Sequence, residues 1–220
     1  MKQILLFCLG VVMVLHGEKV QVLSTSPRIV YVENFLTDAE CNHLIERAKP
    51  QLKRSTVLSD QLVEGKVDAL NDARTSQGMF LEKPTQDPIL KRIEARISQL
   101  AGIPEANGEG MQILRYALGG EYRPHYDYFD PNTPGGSACY HRGGQRIATA
   151  IIYLATIEEG GETIFPYVGI GVKPVKGAIT LFYNCTPDGK EDPLSLHGGA
   201  PVLSGEKWVA VKWLRQGVFR

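Results

Sequence analysis

The sequence predicts an α+β protein in which two amphipathic helices precede a β-barrel of jelly-roll type, a double-stranded β-helix core with flanking N-terminal helices. Three observations predict it. Two segments between residues 37 and 102 carry helix start signals, and the second carries a stop as well. From Met111 onward the hydrophobic period falls to that of strands. The strand-like runs are separated by Gly, Pro, Asn and Asp clusters instead of helices, which favours an antiparallel sandwich or barrel, and the jelly roll is the member of that class that holds a small ligand inside.

The elements follow in order. Lys2 precedes the apolar run Ile4 to Leu15, after which the chain turns polar at "HGEK". A run of 12 apolar residues suits a signal-peptide core and is too short to cross a bilayer comfortably, so no stable membrane span is expected. A cut after Gly17 leaves Leu15 where a small residue is preferred, so an uncleaved anchor and a cytosolic tail stay open beside the signal-peptide reading. The first reading sends the chain to an exported, periplasmic or ER-lumenal compartment; the others keep it cytoplasmic or membrane-tethered. Residues 1–17 are therefore set apart as a leader.

In "LTDAECNHLIERA", Thr37 stands three residues before Glu40, a capping box, and Leu44, Ile45 and Ala48 continue an apolar face. The second helix has Asp87 as N-cap, Pro88 in the first turn, apolar Ile89, Ile93 and Ile97, and Gly102 as its stop. Both are expected to pack outside a sheet. The strands are "MQILRY", "YRPHYDYF", "RIATAIIYLA", "AITLFYN" and "KWVAVKWL". Two connections, 58–77 and 130–145, are long and polar or glycine-rich, the character of mobile lids or substrate clamps.

The totals exclude some functions. With 24 basic and 24 acidic side chains in 220 residues the net charge is zero, and no basic stripe marks a nucleic-acid partner. Beyond the leader, Cys41, Cys139 and Cys185 allow at most one disulfide, and no Cys-x-x-Cys pair suggests zinc or a redox centre. "GIGVKP" lacks the third glycine of a dinucleotide fingerprint, and the "NCT" acceptor at Asn184 is discounted because Pro187 follows it.

Read as a strand, "YRPHYDYF" puts Arg123, His125 and Asp127 on one face and Tyr122, Pro124, Tyr126 and Tyr128 on the other. His125 and Asp127 then offer a nitrogen and a carboxylate oxygen a few ångströms apart, as two adjacent ligands of one metal ion would. Of the remaining histidines, His16 ends the leader, His43 lies on a helix, and His141 sits in a glycine-rich loop, which leaves His197 beside the last strands. Two histidines and one carboxylate form the facial triad of non-haem Fe(II) oxygenases, with positions left open for other ligands. A surface His and Asp that alternate by chance give the same pattern. Lys207 shifts the balance: alternation sets it on one face with Val209, Val211 and Trp213, and an ammonium carried into the barrel requires an anionic partner such as a dicarboxylate. A lysine that snorkels at the strand mouth is the plain alternative.

Together, "ILRYALGGEYRPHYDYF", the triad order, "GGQRIATAIIYLATIEEGGETIFP" and the His-to-Lys spacing resemble the prolyl 4-hydroxylases, which are Fe(II)- and 2-oxoglutarate-dependent dioxygenases. The likeness extends upstream through "SPRIVYVENFLTDAEC" and "RTSQGMFL" and covers residues 25–216, with the metal-binding core at about 109–216. It implies that His125, Asp127 and His197 hold iron, that Lys207 pairs with the distal carboxylate of 2-oxoglutarate, that Tyr116 hydrogen-bonds that carboxylate and that Thr163 lies near the site. It also implies that Arg146 and Trp213 belong to a peptide-binding surface. The reaction implied is hydroxylation of peptidyl proline at C4, with succinate and carbon dioxide as co-products and ascorbate as reductant.

A chain of this length has no room for the additional peptide-binding domain of the animal collagen-modifying enzymes, so it looks like the compact single-domain form. Two further readings stay open on the residues: the same oxygenase chemistry on another side chain or small molecule, and a non-enzymatic jelly-roll binding module with a structural metal.

Overall fold

The computed structural model describes residues 12–15, 18–63, 66–69, 72–81 and 86–220. Helix α1 (Asp38–Ala48) begins as the sequence predicts: the Thr37 hydroxyl accepts from the Glu40 backbone N–H at 3.2 Å while the Glu40 carboxylate accepts from the Thr37 N–H at 2.9 Å. Helix α2 (Pro88–Ala101) begins where the Asp87 carboxylate accepts from the N–H groups of Ile89 and Leu90, and it ends at Gly102, whose φ of 66° only glycine adopts without strain. The caps also tie the helices together. Asp87 meets His43 Nε2 at 2.7 Å and the Arg47 guanidinium, both from α1, and Glu40 accepts from Arg96 of α2 at 3.0 Å.

The helices cover one face of a nine-stranded sheet. Its strands are β1 (Val12–Leu15), β2 (Glu18–Thr25), β3 (Arg28–Val32), β4 (Lys53–Arg54), β7 (Gln77–Leu81), β8 (Met111–Tyr116), β10 (Arg146–Tyr153), β13 (Ile179–Tyr183) and β15 (Lys207–Arg215), in the order β1-β2-β3-β13-β10-β15-β8-β7-β4. A four-stranded sheet of β9 (Tyr122–His125), β11 (Thr163–Phe165), β12 (Ile170–Val172) and β14 (His197–Gly199), ordered β12-β11-β14-β9, packs on the other face. Leu44, Leu90, Ile93 and Ile97 of the helices meet Ile113, Ala150, Leu181 and Ala210 in one core, and Leu114, Tyr153, Val172 and Val209 fill a second between the sheets. Burying both faces of the large sheet buries every residue of β15, an interior strand, including three cations.

The jelly-roll prediction holds, and four local readings are corrected. Strands β2 and β3 precede the helices, since the alternating apolar residues of 20–32 supply a sheet edge that the helices-first order overlooked. Of the apolar leader, Val12–Leu15 pairs antiparallel with β2, and the rest lies outside the described residues. Within 58–77, β5 (Val57–Val63) and β6 (Lys66–Ala69) form an antiparallel pair instead of an irregular loop. Within 130–145 a short helix α3 (Pro134–Tyr140) forms despite two glycines, because Thr133 caps it through the Gly136 N–H and a Cβ at Gly136 would lie 1.9 Å from the Asp130 carbonyl. Cys41, Cys139 and Cys185 are buried thiols with no disulfide among them. No described helix is long and apolar enough to cross a membrane.

Asp87 serves both as cap and as anchor between the helices, so Asp87→Ala is expected to cost about 1–2 kcal/mol in denaturant unfolding. Asp87→Asn, which can still cap, should recover part of that loss.

Candidate active site

The strand register assembles the site. β9 pairs with β14 so that His125 stands opposite His197, and the pairing shifts before Gly199 meets Tyr122. The close approach depends on Gly198: a Cβ there would lie 2.9 Å from the Tyr122 carbonyl and 3.1 Å from the Pro124 nitrogen, both backbone atoms. Ligand atoms of His125, Asp127 and His197 lie within 4.8 Å of one another. His125 Nε2 is 3.7 Å from Asp127 Oδ1, and His197 Nε2 is 3.5 Å from Asp127 Oδ2.

The alternation that suggested this pair is only partly present. β9 ends at His125 and Asp127 lies in the bend beyond it, so no continuous strand carries both. Pro124 has no N–H to extend a ladder, and β9 is an edge strand. Tyr122, expected on the opposite face, instead stacks on the His125 ring with centroids 3.6 Å apart.

Hydrogen bonds fix the donors. His125 Nδ1 is 2.9 Å from the Arg123 carbonyl and His197 Nδ1 is 3.0 Å from the Ser195 carbonyl. A carbonyl only accepts, so each Nδ1 carries the proton and each Nε2 presents a bare lone pair. Burial, and then the neighbouring His197, push the His125 imidazolium down to about 3. Burial alone would raise Asp127, but His197, His125, Arg146 and a 2.7 Å bond from the Thr149 hydroxyl hold it at about 2. Two neutral imidazoles and one carboxylate fit a divalent transition ion such as Fe(II).

Beside the triad a narrow pocket runs into the barrel, lined by Tyr116, Thr163, Lys207, Val209, Val211 and Trp213 among others. Lys207, Val209, Val211 and Trp213 therefore share the inward face that alternation predicts. The three cations of β15 are balanced differently: Lys212 pairs with Glu94, Arg215 with Glu109 at 2.7 Å, and Lys207 has no carboxylate within ion-pair distance among the described residues. Burial lowers Lys207 from 10.5 to about 8, with Glu162 opposing from a distance. Tyr116 is its cross-strand partner, the ammonium lying 5.6 Å from the ring centroid. Thr163 accepts from the Tyr153 hydroxyl at 2.9 Å.

Asp127, Tyr122, Trp213 and Arg74 also line a neighbouring cavity of about 380 Å³ that adjoins the site from the other side. Arg146 lines this cavity alone, its guanidinium 4.0 Å from the Trp213 ring centroid and bidentate on Glu109 at 2.6 and 2.9 Å. Arg146 is thus a partly buried, paired support of the cavity wall. Trp213 Nε1 is buried and has no hydrogen-bond partner.

The structure adds Glu109, Arg74 and Thr149, which the sequence reading did not single out. Arg74 is buried with only neutral partners, Thr56, Ser76 and Gln112, and lies 4.9 Å from the Tyr122 ring centroid. Glu109 precedes its strand in a glycine-flanked turn, where no local pattern announces a charged pair. The inward alternation of "RIATAIIYLA" was the available signal for Thr149.

The sequence profile of the 2OG-Fe(II) oxygenase superfamily matches residues 111–215. Prolyl 4-hydroxylase 2 of Arabidopsis thaliana is 41% identical over 227 residues, spanning 94% of this chain and 73% of that protein. Prolyl 4-hydroxylase 5 of the same plant is 42% identical, over 93% of this chain and 74% of its own length. Among solved structures, a viral collagen prolyl hydroxylase from Paramecium Bursaria Chlorella virus-1, in complex with 2OG, superposes with a TM-score of 0.65 at 30% identity, covering 84% of this chain and 94% of that one.

A buried ammonium with no carboxylate is a stability cost in the ligand-free protein. Lys207→Met should therefore stabilise it by on the order of 1–3 kcal/mol in thermal or denaturant unfolding. Because the folded state releases this proton at about 8 and the unfolded chain near 10.5, the unfolded state binds more protons between those values. The gap between Lys207→Met and the parent should accordingly narrow as pH rises from 8 to 10.5.

Proposed function

The chain belongs to the prolyl 4-hydroxylase family of 2-oxoglutarate-dependent Fe(II) oxygenases, and from that premise we propose that it hydroxylates C4 of a proline within a peptide, with His125, Asp127 and His197 as the iron ligands and Lys207 as the anchor of 2-oxoglutarate. One observation carries this reading: a two-histidine, one-carboxylate triad faces the same pocket as a buried ammonium that has no carboxylate of its own. A structural metal site has no use for that ammonium, whereas a dicarboxylate co-substrate supplies its missing charge.

When bound, Fe(II) supplies the redox chemistry by which dioxygen converts 2-oxoglutarate to succinate and carbon dioxide while the second oxygen atom enters the proline C4–H bond. The chain's own residues prepare for that chemistry. The Arg123 and Ser195 carbonyls keep both imidazoles in the tautomer that leaves Nε2 free. Lys207 holds the distal carboxylate of 2-oxoglutarate, and Tyr116 adds a hydroxyl donor beside it. Thr163 already accepts a proton from Tyr153, which leaves its own hydroxyl proton for the same carboxylate. Val209 and Val211 line the pocket between these groups and keep bulk water out.

The adjoining cavity receives the peptide. Tyr122 and Trp213 offer apolar ring faces suited to a pyrrolidine ring, and the unpartnered Trp213 indole N–H is available to a peptide carbonyl. Burial pushes the Tyr122 phenol up to about 12, so it stays neutral there. Arg146 acts through Glu109, which together with Arg215 locks the cavity wall.

The direct test incubates the full chain with Fe(II), ascorbate and 2-oxoglutarate, with and without a proline-rich peptide. Peptide-dependent succinate and a mass gain of one oxygen atom on proline are expected. Succinate with an unmodified peptide would sink the substrate assignment, and no succinate from iron-loaded protein would sink the enzyme reading.

Asp127→Ala should abolish both metal binding and turnover. Lys207→Ala should raise the 2-oxoglutarate KM by about 10- to 1,000-fold with a smaller effect on kcat, because the ammonium contacts a group remote from the reacting carbon. In the parent, Lys207 is charged below about 8 and loses its proton above. The 2-oxoglutarate KM should thus stay level below pH 8 and rise above it, and Lys207→Arg, which stays charged, should remove the rise.

A further inference from the structure

Behind the triad lies a buried chain of three polar side chains from three separate segments. The Thr149 hydroxyl, on β10, is 2.7 Å from Asp127 Oδ2, and Asn184 Nδ2, just past β13, is 2.9 Å from that same hydroxyl oxygen. Thr149 and Asn184 are both fully buried. Asn184 is also fixed through its backbone, its N–H donating to the Ile147 carbonyl at 2.8 Å and its carbonyl accepting from the Asp192 N–H at 2.9 Å. Its buried Oδ1 has no hydrogen-bond partner among the described residues.

Proton counting fixes the direction of the chain. An ionised carboxylate only accepts, so the single hydroxyl proton of Thr149 must point at Asp127. The third group must then donate to the Thr149 oxygen, which places the Asn184 NH₂ there and leaves the amide oxygen on the orphaned side. A buried, unsatisfied acceptor normally costs about 1–3 kcal/mol. A residue that keeps one in the core, where an apolar side chain would avoid that cost, does so for the donor on its other side.

We infer that Thr149 and Asn184 are positioning residues that lock the Asp127 carboxylate, engaging Oδ2 and leaving Oδ1 as the single oxygen offered to the metal. The inference rests on the reading of Asp127 as a metal ligand. Without the relay the carboxylate could rotate about its terminal torsion, which is broad, and present either oxygen or both. The same burial disposes of the glycosylation acceptor at Asn184, whose amide is inaccessible and already bonded.

The test is metal affinity of the full chain, measured without turnover. Metal-free protein is titrated with Co(II), followed by its visible ligand-field absorption, and with Fe(II) by anaerobic competition, while thermal unfolding is recorded in parallel. Thr149→Val, close in shape but without a donor, should weaken binding about 10- to 100-fold, and Thr149→Ser should restore most of it. Asn184→Ala should weaken binding several-fold, and the double variant Thr149→Val/Asn184→Ala should bind no worse than Thr149→Val alone, because the two act as one chain. Should Thr149→Val fail to fold, the comparison of Asn184→Ala with the parent and with Thr149→Ser decides. Parent-like affinity in these variants, even with lowered thermal stability, would reduce the pair to core packing and overturn the inference while leaving the triad intact. Losses that multiply in the double variant would overturn the relay. A parent chain that binds neither metal would overturn the triad reading and this inference together.

Discussion

The pairing of β9 with β14 is the constraint on which the rest of the site depends. It sets His125 against His197 across a two-strand ladder, and a slip of one residue would turn one histidine out of the pocket. Gly198 permits the approach, since any side chain there meets the backbone of Tyr122 and Pro124. Asp127 then needs no strand of its own: the chain bends after His125 and carries the carboxylate in between the two imidazoles.

Around that pair the fold solves a charge problem by segregation. β15 is an interior strand of a sheet covered on both faces, yet it contains Lys207, Lys212 and Arg215. Lys212, on the helix side, is neutralised by Glu94 of α2, and Arg215 joins Arg146 on Glu109. Those two settlements make the sheet stable and fix the wall of the larger cavity. Of the three cations of β15, Lys207 faces the narrow pocket and has no carboxylate within ion-pair distance among the described residues, so an anion bound there would relieve the cost of its burial.

The two cavities share Asp127, Tyr122, Trp213 and Arg74, so the triad's carboxylate borders both a narrow pocket that holds Lys207 and a broader cavity. That arrangement suits a reaction in which one small polar reagent and one chain segment must meet at a single ion from different sides. Hydrogen bonds behind each ligand, to two carbonyls and to Thr149, hold the donors ready before any ion binds.

The sequence by itself determined the capped helices, the strand-rich second half, the identity of His125, Asp127 and His197 as a set, and the inward face of β15. Each is written in local chemistry: caps in residues a turn apart, strand faces in alternation, ligands in residue type. Local pattern misjudged Asp127 as part of a continuous strand, because the strand ends at His125 and the chain bends beyond it, and it held no signal for the pairing of Arg146 with Glu109, 37 positions away in the chain. The tertiary structure alone decided that Lys207 would lack a carboxylate while Lys212 found one, that Tyr122 would stack on His125, and that Asn184 would reach Thr149. The Lys212 and Asn184 pairings join segments tens of residues apart, the Tyr122 stack depends on side-chain packing at a sheet edge, and no periodicity within a single strand records either.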